Sequence, residues 1–213
     1  MIIVLFGKPG AGKGTQAPLL AEALGVKTLA TGDVLRAAVR EGTTRGLEAK
    51  GYMERGDLVP DEVILAIVKE ALAGPDYRNG AILDGVVRTV PQAEGLAAAL
   101  QELGRRVDAV LCFDIENEEI VRRLAGRLVC EKCQTPYPSA TVGDLCSKPG
   151  CGGRLVRRKD DEPDAIRRRL EVYEAQTAPV FDWYLQHGTR VLQIDAVGAV
   201  DDVTRRARTA LGR

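Results

Sequence analysis

Five short apolar runs, at 1–6, 26–30, 81–84, 109–115 and 191–195, recur along the chain with longer stretches of helical periodicity between them. Each run is too continuous for a half-exposed strand, which points to burial on both faces. Strands of that kind separated by helices imply a parallel sheet covered on two sides, because every crossover must return the chain to the same end. The fold expected is α/β, a small doubly wound sheet of five parallel strands. Helices are expected over 13–24, 32–41, 61–73, 116–128 and 200–211, with Gly25, Gly42 and Gly74 ending the first three and Thr31 as N-cap of the second. Pro18 should distort the first helix, and Pro179 should kink or divide a long amphipathic segment over 164–187.

The stretch 129–156 breaks this rhythm with Pro136, Pro138, Pro149, four glycines and four cysteines, and reads as a small inserted domain. Cys130-x2-Cys133, twelve residues, then Cys146-x4-Cys151 presents four soft ligands in two turns, the donor set of a tetrahedral Zn²⁺ site. Iron in the same cage, or a pair of disulfides, are the alternatives. So short an insertion has almost no core of its own, so a structural metal would supply its cross-links. Cys112, alone in an apolar run, reads as a small buried residue, and His187, the single histidine, as a helix-capping or surface residue beside Gly188.

Composition narrows the function. Thirty Lys plus Arg against thirty Asp plus Glu leave no protein-wide field to hold a nucleic-acid backbone or an anionic membrane, so any basic site must be local. No apolar run approaches the roughly 20 residues of a spanning helix, and Met1 runs straight into Ile2 without a charged leader, so a cytoplasmic chain is expected. No association surface stands out, and a monomer is expected.

The string Gly7-Lys8-Pro9-Gly10-Ala11-Gly12-Lys13-Gly14-Thr15 follows the first strand and opens the first helix. Glycines there let backbone N–H groups converge on phosphate oxygens, the helix N-terminus adds partial positive charge, and Lys13 can reach the terminal phosphates. A plain strand-to-helix turn needs neither three glycines nor a lysine at that place. Thr15 is the nearest hydroxyl for Mg²⁺, although Gly14 separates it from Lys13 where a Ser or Thr usually follows directly.

The chain resembles the adenylate kinases over nearly its whole length. The likeness is carried by the glycine loop, by Thr31-Gly32-Asp33 with Arg36, and by Leu83-Asp84-Gly85-Val86-Val87-Arg88 followed by Gln92; Val86-Val87 stands where the family normally has Phe-Pro. The resemblance implies a P-loop core made of 1–29, 60–126 and 159–213, an AMP-binding domain at 30–59, and at 127–158 a lid like the zinc lid of some bacterial members. It implies reversible, Mg²⁺-dependent transfer of the γ-phosphoryl group of ATP to AMP, serving adenine nucleotide homeostasis. Gly10, Ala11, Gly12, Lys13, Gly14 and Thr15 would hold ATP phosphates. Arg127, Pro136, Tyr137 and Gly198 would contact its base. Thr31, Gly32, Arg36, Gly56, Asp57, Leu58, Val59, Gly85, Arg88 and Gln92 would receive AMP, with Arg158 and Arg169 at the phosphates.

The residue chemistry points the same way. Asp84 ends a strand expected beside the first, where ligands of doubly wound sheets collect, and is placed to hold Mg²⁺ through water, with Asp33 a second candidate. Arg36 and Arg88 can grip a phosphate with two hydrogen bonds each, and the Gln92 amide offers a donor and an acceptor, as reading an adenine edge requires. Phosphoryl transfer needs alignment and charge neutralisation more than a base, which suits Lys13, Arg88, Arg123, Arg158 and Arg169. Arg123 has the competing option of an ion pair with Glu119 four residues earlier, and Arg122, Arg167 and Arg168 read as a solvated face. Two other functions stay open at this level. One is a kinase of UMP or CMP. The other is a nucleic-acid-dependent NTPase switch, against which zero net charge and 4% aromatic residues argue.

Overall fold

A computed structural model describes residues 1–137 and 140–213; Pro138 and Ser139 lie outside the described residues, as does the side chain of Arg45. The opening strand β1 (Ile2–Gly7) leads to α1 (Lys13–Leu24), β2 (Lys27–Ala30), α2 (Thr31–Glu41), α3 (Thr44–Arg55) and α4 (Asp61–Ala73). Next come β3 (Ala81–Asp84), α5 (Val90–Glu102), β4 (Ala109–Asp114) and α6 (Asn117–Gly126). Three short strands, β5 (Leu128–Cys130), β6 (Pro136–Tyr137) and β7 (Leu155–Arg157), precede α7 (Pro163–Val172), α8 (Pro179–Gln186), β8 (Val191–Asp195) and α9 (Val200–Ala210).

The five expected strands form one parallel sheet in the order β2-β3-β1-β4-β8, with β1 in the centre. Successive side chains on a strand point to opposite faces, and β1 feeds both cores accordingly. Ile2, Val4 and Phe6 join residues of α4, α5 and α8, whereas Ile3 and Leu5 join residues of α1, α6, α7 and α9. This two-sided burial is the reason the runs lack alternation. Val86 and Val87 also enter the first core, and every peptide bond among the described residues is trans.

Several local expectations need correction. Thr31 is not an N-cap: α2 begins at Thr31 itself, Ala30 occupies the cap, and the Thr31 hydroxyl donates to Gly85 O at 2.8 Å. That bond ties the start of α2 to the loop after β3, which a local reading of the helix cannot foresee. The helix over α1 runs unbroken through Pro18, because Ala17, Leu20 and Ala21 bury it against the sheet and offset one missing backbone bond. The helix expected to reach residue 128 stops at Gly126, since Leu128 enters the small sheet. The division expected at Pro179 is present: a π-helical turn at Tyr173–Thr177 ends the first part of the 164–187 segment and Pro179 opens α8, where its missing N–H costs little. Helices α3 and α5 were absent from the sequence expectation.

Helix α3 packs on α2 at close range. Its Thr43 N-cap accepts from Gly46 N at 3.1 Å, and a Cβ on Gly46 would collide with the backbone of Ala38. Gly51, in the same helix, faces only the flexible end of Arg55. Gly46→Ala should therefore destabilise the protein by roughly 1–3 kcal/mol, while Gly51→Ala should stabilise it by up to about 1 kcal/mol. Urea unfolding of the two variants measures this, and effects of the same sign would contradict the packing described.

Candidate functional site

Loops at the carboxyl ends of β1, β2 and β3 open onto one cleft of about 1060 Å³. The register puts Leu5 of β1 beside Asp84 of β3, and Ala30 of β2 beside the same Asp84, so glycine loop, α2 start and acceptor loop share an edge. Gly7 is required there: its φ is +131°, and a Cβ would strike Phe113 O of β4. Gly10 and Gly12 follow at φ +83° and +93°, curling the loop into the N-terminus of α1.

Lys13 folds back over this loop, its Nζ donating to Gly7 O at 2.6 Å and Lys8 O at 2.9 Å. Burial pushes its pKa down to about 8, Asp84 counters, and Arg88 and Arg169 add to the depression. Burial likewise raises Asp84, against the pull of Lys13 and Arg88. A Cβ on Gly14 would sit 3.3 Å from Asp84 Oδ2. The unusual glycine between Lys13 and Thr15 thus leaves room for the Asp84 carboxylate.

Among the described residues eight basic side chains line the cleft against five acidic ones, a local excess in a chain of zero net charge. Arg88 is depressed by burial and then by Arg169, and its Nε donates to Gly85 O at 3.1 Å. Arg158 is pushed down to about 10 by burial and then by Arg36 and Arg127, and its Nε is buried without a partner among the described residues, as is that of Arg36. Both side chains line the cleft, and guanidinium groups left short of partners there suit an anion.

Arg123 pairs within its own helix and also lines the cleft. Its Nε donates to Glu119 at 2.7 Å, as the helical spacing suggested, and its Nη2 donates across to Ala196 O at 3.0 Å while lining the cleft. Arg122 and Arg167 are exposed ion-pair partners of Glu119 and Asp164. Arg168 does more than face solvent: it donates to Asp57 at 2.8 Å, joining α7 to the segment after α3.

Of the residues expected at nucleotide, the structure brings all to the cleft wall except Tyr137. The Tyr137 hydroxyl instead lies 3.1 Å from Cys146 Sγ and accepts from Ser147 N at 3.0 Å. The four cysteine sulfurs lie within 4.8 Å of one another, with Cys130 and Cys151 at 3.5 Å and Cys133 and Cys146 at 3.6 Å. Tetrahedral Zn²⁺ with Zn–S of about 2.3 Å spaces sulfurs by roughly 3.8 Å, whereas a disulfide needs about 2.05 Å, so the set fits a metal and the pairs are not bridged. Burial works against it, but hydrogen bonds from Thr135 hold the Cys133 thiol at about 6. Cys112 is partly buried against the core, and His187 caps α8 with its ring stacked on Trp183 at 4.0 Å.

Three contributors escaped the sequence reading. Asp161, 3% exposed at its side chain, receives Arg127 through two bonds at 2.7 and 2.6 Å and Arg169 at 2.9 Å. Asp160 stands beside it, 3.3 Å from Arg169; burial opposes its charge, but Arg169 and Arg158 hold its carboxyl below the usual range. Gln16 is buried and donates to Val200 O at 3.0 Å while accepting from Thr204 at 2.7 Å, which fixes the Gly198 loop beside the glycine loop. The charge run after Arg158 was the visible signal for the aspartates; Gln16 gave none.

The family model described as adenylate kinase matches residues 5–189. The chain belongs to the adenylate kinase family. It is 58% identical over 211 residues to the adenylate kinase of Gemmatimonas aurantiaca, covering 99% of each chain. It is 49% identical to that of Acidothermus cellulolyticus and 44% to that of Methanocella arvoryzae, each over 99% of this chain and 98% of the relative. As an adenylate kinase family member the protein is a nucleoside monophosphate kinase, a phosphotransferase that binds nucleotides. Among the described residues no helix is long and apolar enough to cross a membrane.

The Asp161 carboxylate offsets two guanidinium groups that would otherwise repel in a buried corner. Asp161→Asn should cost on the order of 3 kcal/mol, read by calorimetry as a fall in Tm of roughly 6–12 °C. A fall below about 2 °C would show that the arginines do not depend on it.

Proposed function

We propose that the protein catalyses reversible transfer of the γ-phosphoryl group of ATP to AMP, giving two ADP, as a cytoplasmic monomer that balances adenine nucleotides. The observation carrying this reading is the convergence on one cleft of a phosphate-binding loop and a second, arginine-lined loop after β3. Unbridged cysteines fit a reducing compartment.

Residues 30–59 act as the AMP-binding domain, 127–158 as a lid, and 1–29, 60–126 and 159–213 as the core. The glycine loop from Gly10 to Thr15 holds the donor's phosphates on backbone N–H groups, and Lys13 swings from the Gly7 and Lys8 carbonyls to the terminal phosphates. Arg127, Pro136 and the Gly198 backbone flank the donor base; Tyr137, whose hydroxyl is engaged at Cys146, contributes ring surface at most. Arg36 and Arg88 grip the acceptor's α-phosphate, Thr31, Gly32, Asp57, Leu58, Val59 and Gly85 shape its pocket, and the Gln92 amide reads its base. Arg123, Arg158 and Arg169 neutralise the charge on the group in flight, which in a water-poor cleft is worth far more than in solvent. Asp84, with Thr15 and Asp33, would hold Mg²⁺ through its water shell; when bound, the ion supplies positive charge between the donor's phosphates. Cys130, Cys133, Cys146 and Cys151 would hold a structural Zn²⁺.

Purified protein with ATP and Mg²⁺ should phosphorylate AMP far faster than UMP or CMP; equal or better turnover of a pyrimidine monophosphate would overturn the acceptor assignment. Lys13→Ala and Arg88→Ala should each lower kcat by about 100-fold or more with an unchanged circular dichroism spectrum. Losses under tenfold would remove those residues from the catalytic set.

Metal stripping with a chelator, verified by elemental analysis, should lower the Tm of the protein. An unmoved transition would refute a stabilising metal.

A further inference from the structure

We infer that Asp61, outside the cleft, is a positioning residue that decides which purine the acceptor site takes, by locking the Gln92 amide in one of its two orientations. The inference rests on the reading of Gln92 as the residue that contacts the acceptor base. Asp61 is the first residue of α4, where the 30–59 segment rejoins the core. Its Oδ1 accepts from Gln92 Nε2 at 2.7 Å, and its Oδ2 accepts from the Thr89 hydroxyl at 3.0 Å. Gln92 Oε1 in turn accepts from Arg88 N at 2.7 Å, and Gln92 N donates to Thr89 Oγ1 at 3.2 Å. Thr177 holds the other side of the Arg88 peptide by donating to its carbonyl at 2.8 Å.

Each partner is chemically one-sided. A carboxylate only accepts and a backbone N–H only donates, so the amide cannot turn over without losing both bonds and setting its oxygen against the Asp61 carboxylate. Gln92 is 1% exposed and still forms part of the cleft wall, whereas Asp61 does not reach it. One lone pair on Oε1 and one N–H on Nε2 remain, on sides fixed by these bonds. Adenine offers an amino donor at its 6-position beside a ring-nitrogen acceptor; hypoxanthine and guanine offer a carbonyl acceptor beside an N–H donor, the reverse order. With the phosphate held by arginines, the base cannot turn end over end to compensate. A locked amide therefore accepts one order and rejects the other, because the wrong base leaves buried polar groups unpaired.

The test measures kcat/KM for AMP and IMP at saturating Mg-ATP in the wild type, Asp61→Asn, Gln92→Ala and the double variant. Asn can face Gln92 with either its oxygen or its NH₂, so one of the two one-sided contacts that fix the amide is lost without a change of shape, and only the Arg88 N–H still opposes the turned orientation. Asp61→Asn should reduce the AMP:IMP preference at least tenfold and raise the AMP KM, with the ATP KM within twofold of wild type. In the Gln92→Ala background the same substitution should change the preference no further. If Gln92→Ala collapses the preference and Asp61→Asn does not, the positioning role is wrong and the Gln92 reading stands. An equal Asp61→Asn effect in both backgrounds would make Asp61 merely structural, overturning the role. If Gln92→Ala changes neither the preference nor the AMP KM, the base-reading assignment fails and the inference with it. Should Asp61→Asn not fold, Thr89→Val, which removes the second anchor of Asp61, must loosen the preference for the inference to survive.

Discussion

Positive charge held away from water without enough carboxylates to balance it is the constraint on which the rest of this structure depends. Burial depresses the pKa of Lys13, Arg88 and Arg158; Arg88 and Arg169 add to it at Lys13, Arg169 at Arg88, and Arg36 and Arg127 at Arg158. Asp84, Asp160 and Asp161 offset part of the repulsion but leave nitrogens of Arg36 and Arg158 unpaired. Such a cluster lowers the stability of the fold, and on the proposed reading an anion in the cleft recovers the difference. Polyphosphate affinity and strain within the protein are then two aspects of one charge distribution.

The sheet makes that concentration possible. A parallel sheet sends every strand's carboxyl end to the same edge, so residues distant in sequence meet without long loops. The pairing of both Leu5 and Ala30 with the Asp84 level of β3 places the carboxylate between the glycine loop and α2. The Thr31 hydroxyl then welds α2 to Gly85. A one-residue slip in either register would turn Asp84 into the hydrophobic layer, so the buried alternation of β1 sets the geometry of the charges as well as the core.

What the sequence revealed follows from how local each feature is. The five strands and the glycine loop were legible because apolar continuity and glycine spacing are written in adjacent residues. Cys130, Cys133, Cys146 and Cys151 were legible for the same reason. Helix α3 was not: its sequence mixes Gly46, Gly51 and charged residues, and what makes it helical is the Thr43 cap and contact with α2. The Asp161 pairing with Arg127, 34 residues away, arises only when β5 and β7 bring their flanks together, whereas Arg169, eight residues on in α7, reaches the same carboxylate locally. The contacts of the Tyr137 hydroxyl at Cys146 and Ser147 were not legible either, because they form only when β6 brings the ring beside the cysteine loop.

The small sheet shows why a metal held by the four cysteines would bear on chemistry remote from it. Its buried core is Leu128, Cys130, Cys146 and Leu155, so half of its packing residues are also members of the sulfur cluster. Arg127 immediately precedes β5 and Arg158 immediately follows β7, and the two strands pair antiparallel with Leu128 opposite Arg157. The two arginines are thereby held as neighbours at the open end of one hairpin-like pair. On the proposed reading a metal clamping Cys130 and Cys133 to Cys146 and Cys151 fixes the closed end of the same pair. Four apolar side chains cannot order some thirty residues by themselves. Without that clamp the Asp161 corner would still hold Arg127 but nothing would keep Arg158 beside it, and the charge cluster would lose the geometry that a phosphoryl group in transit requires.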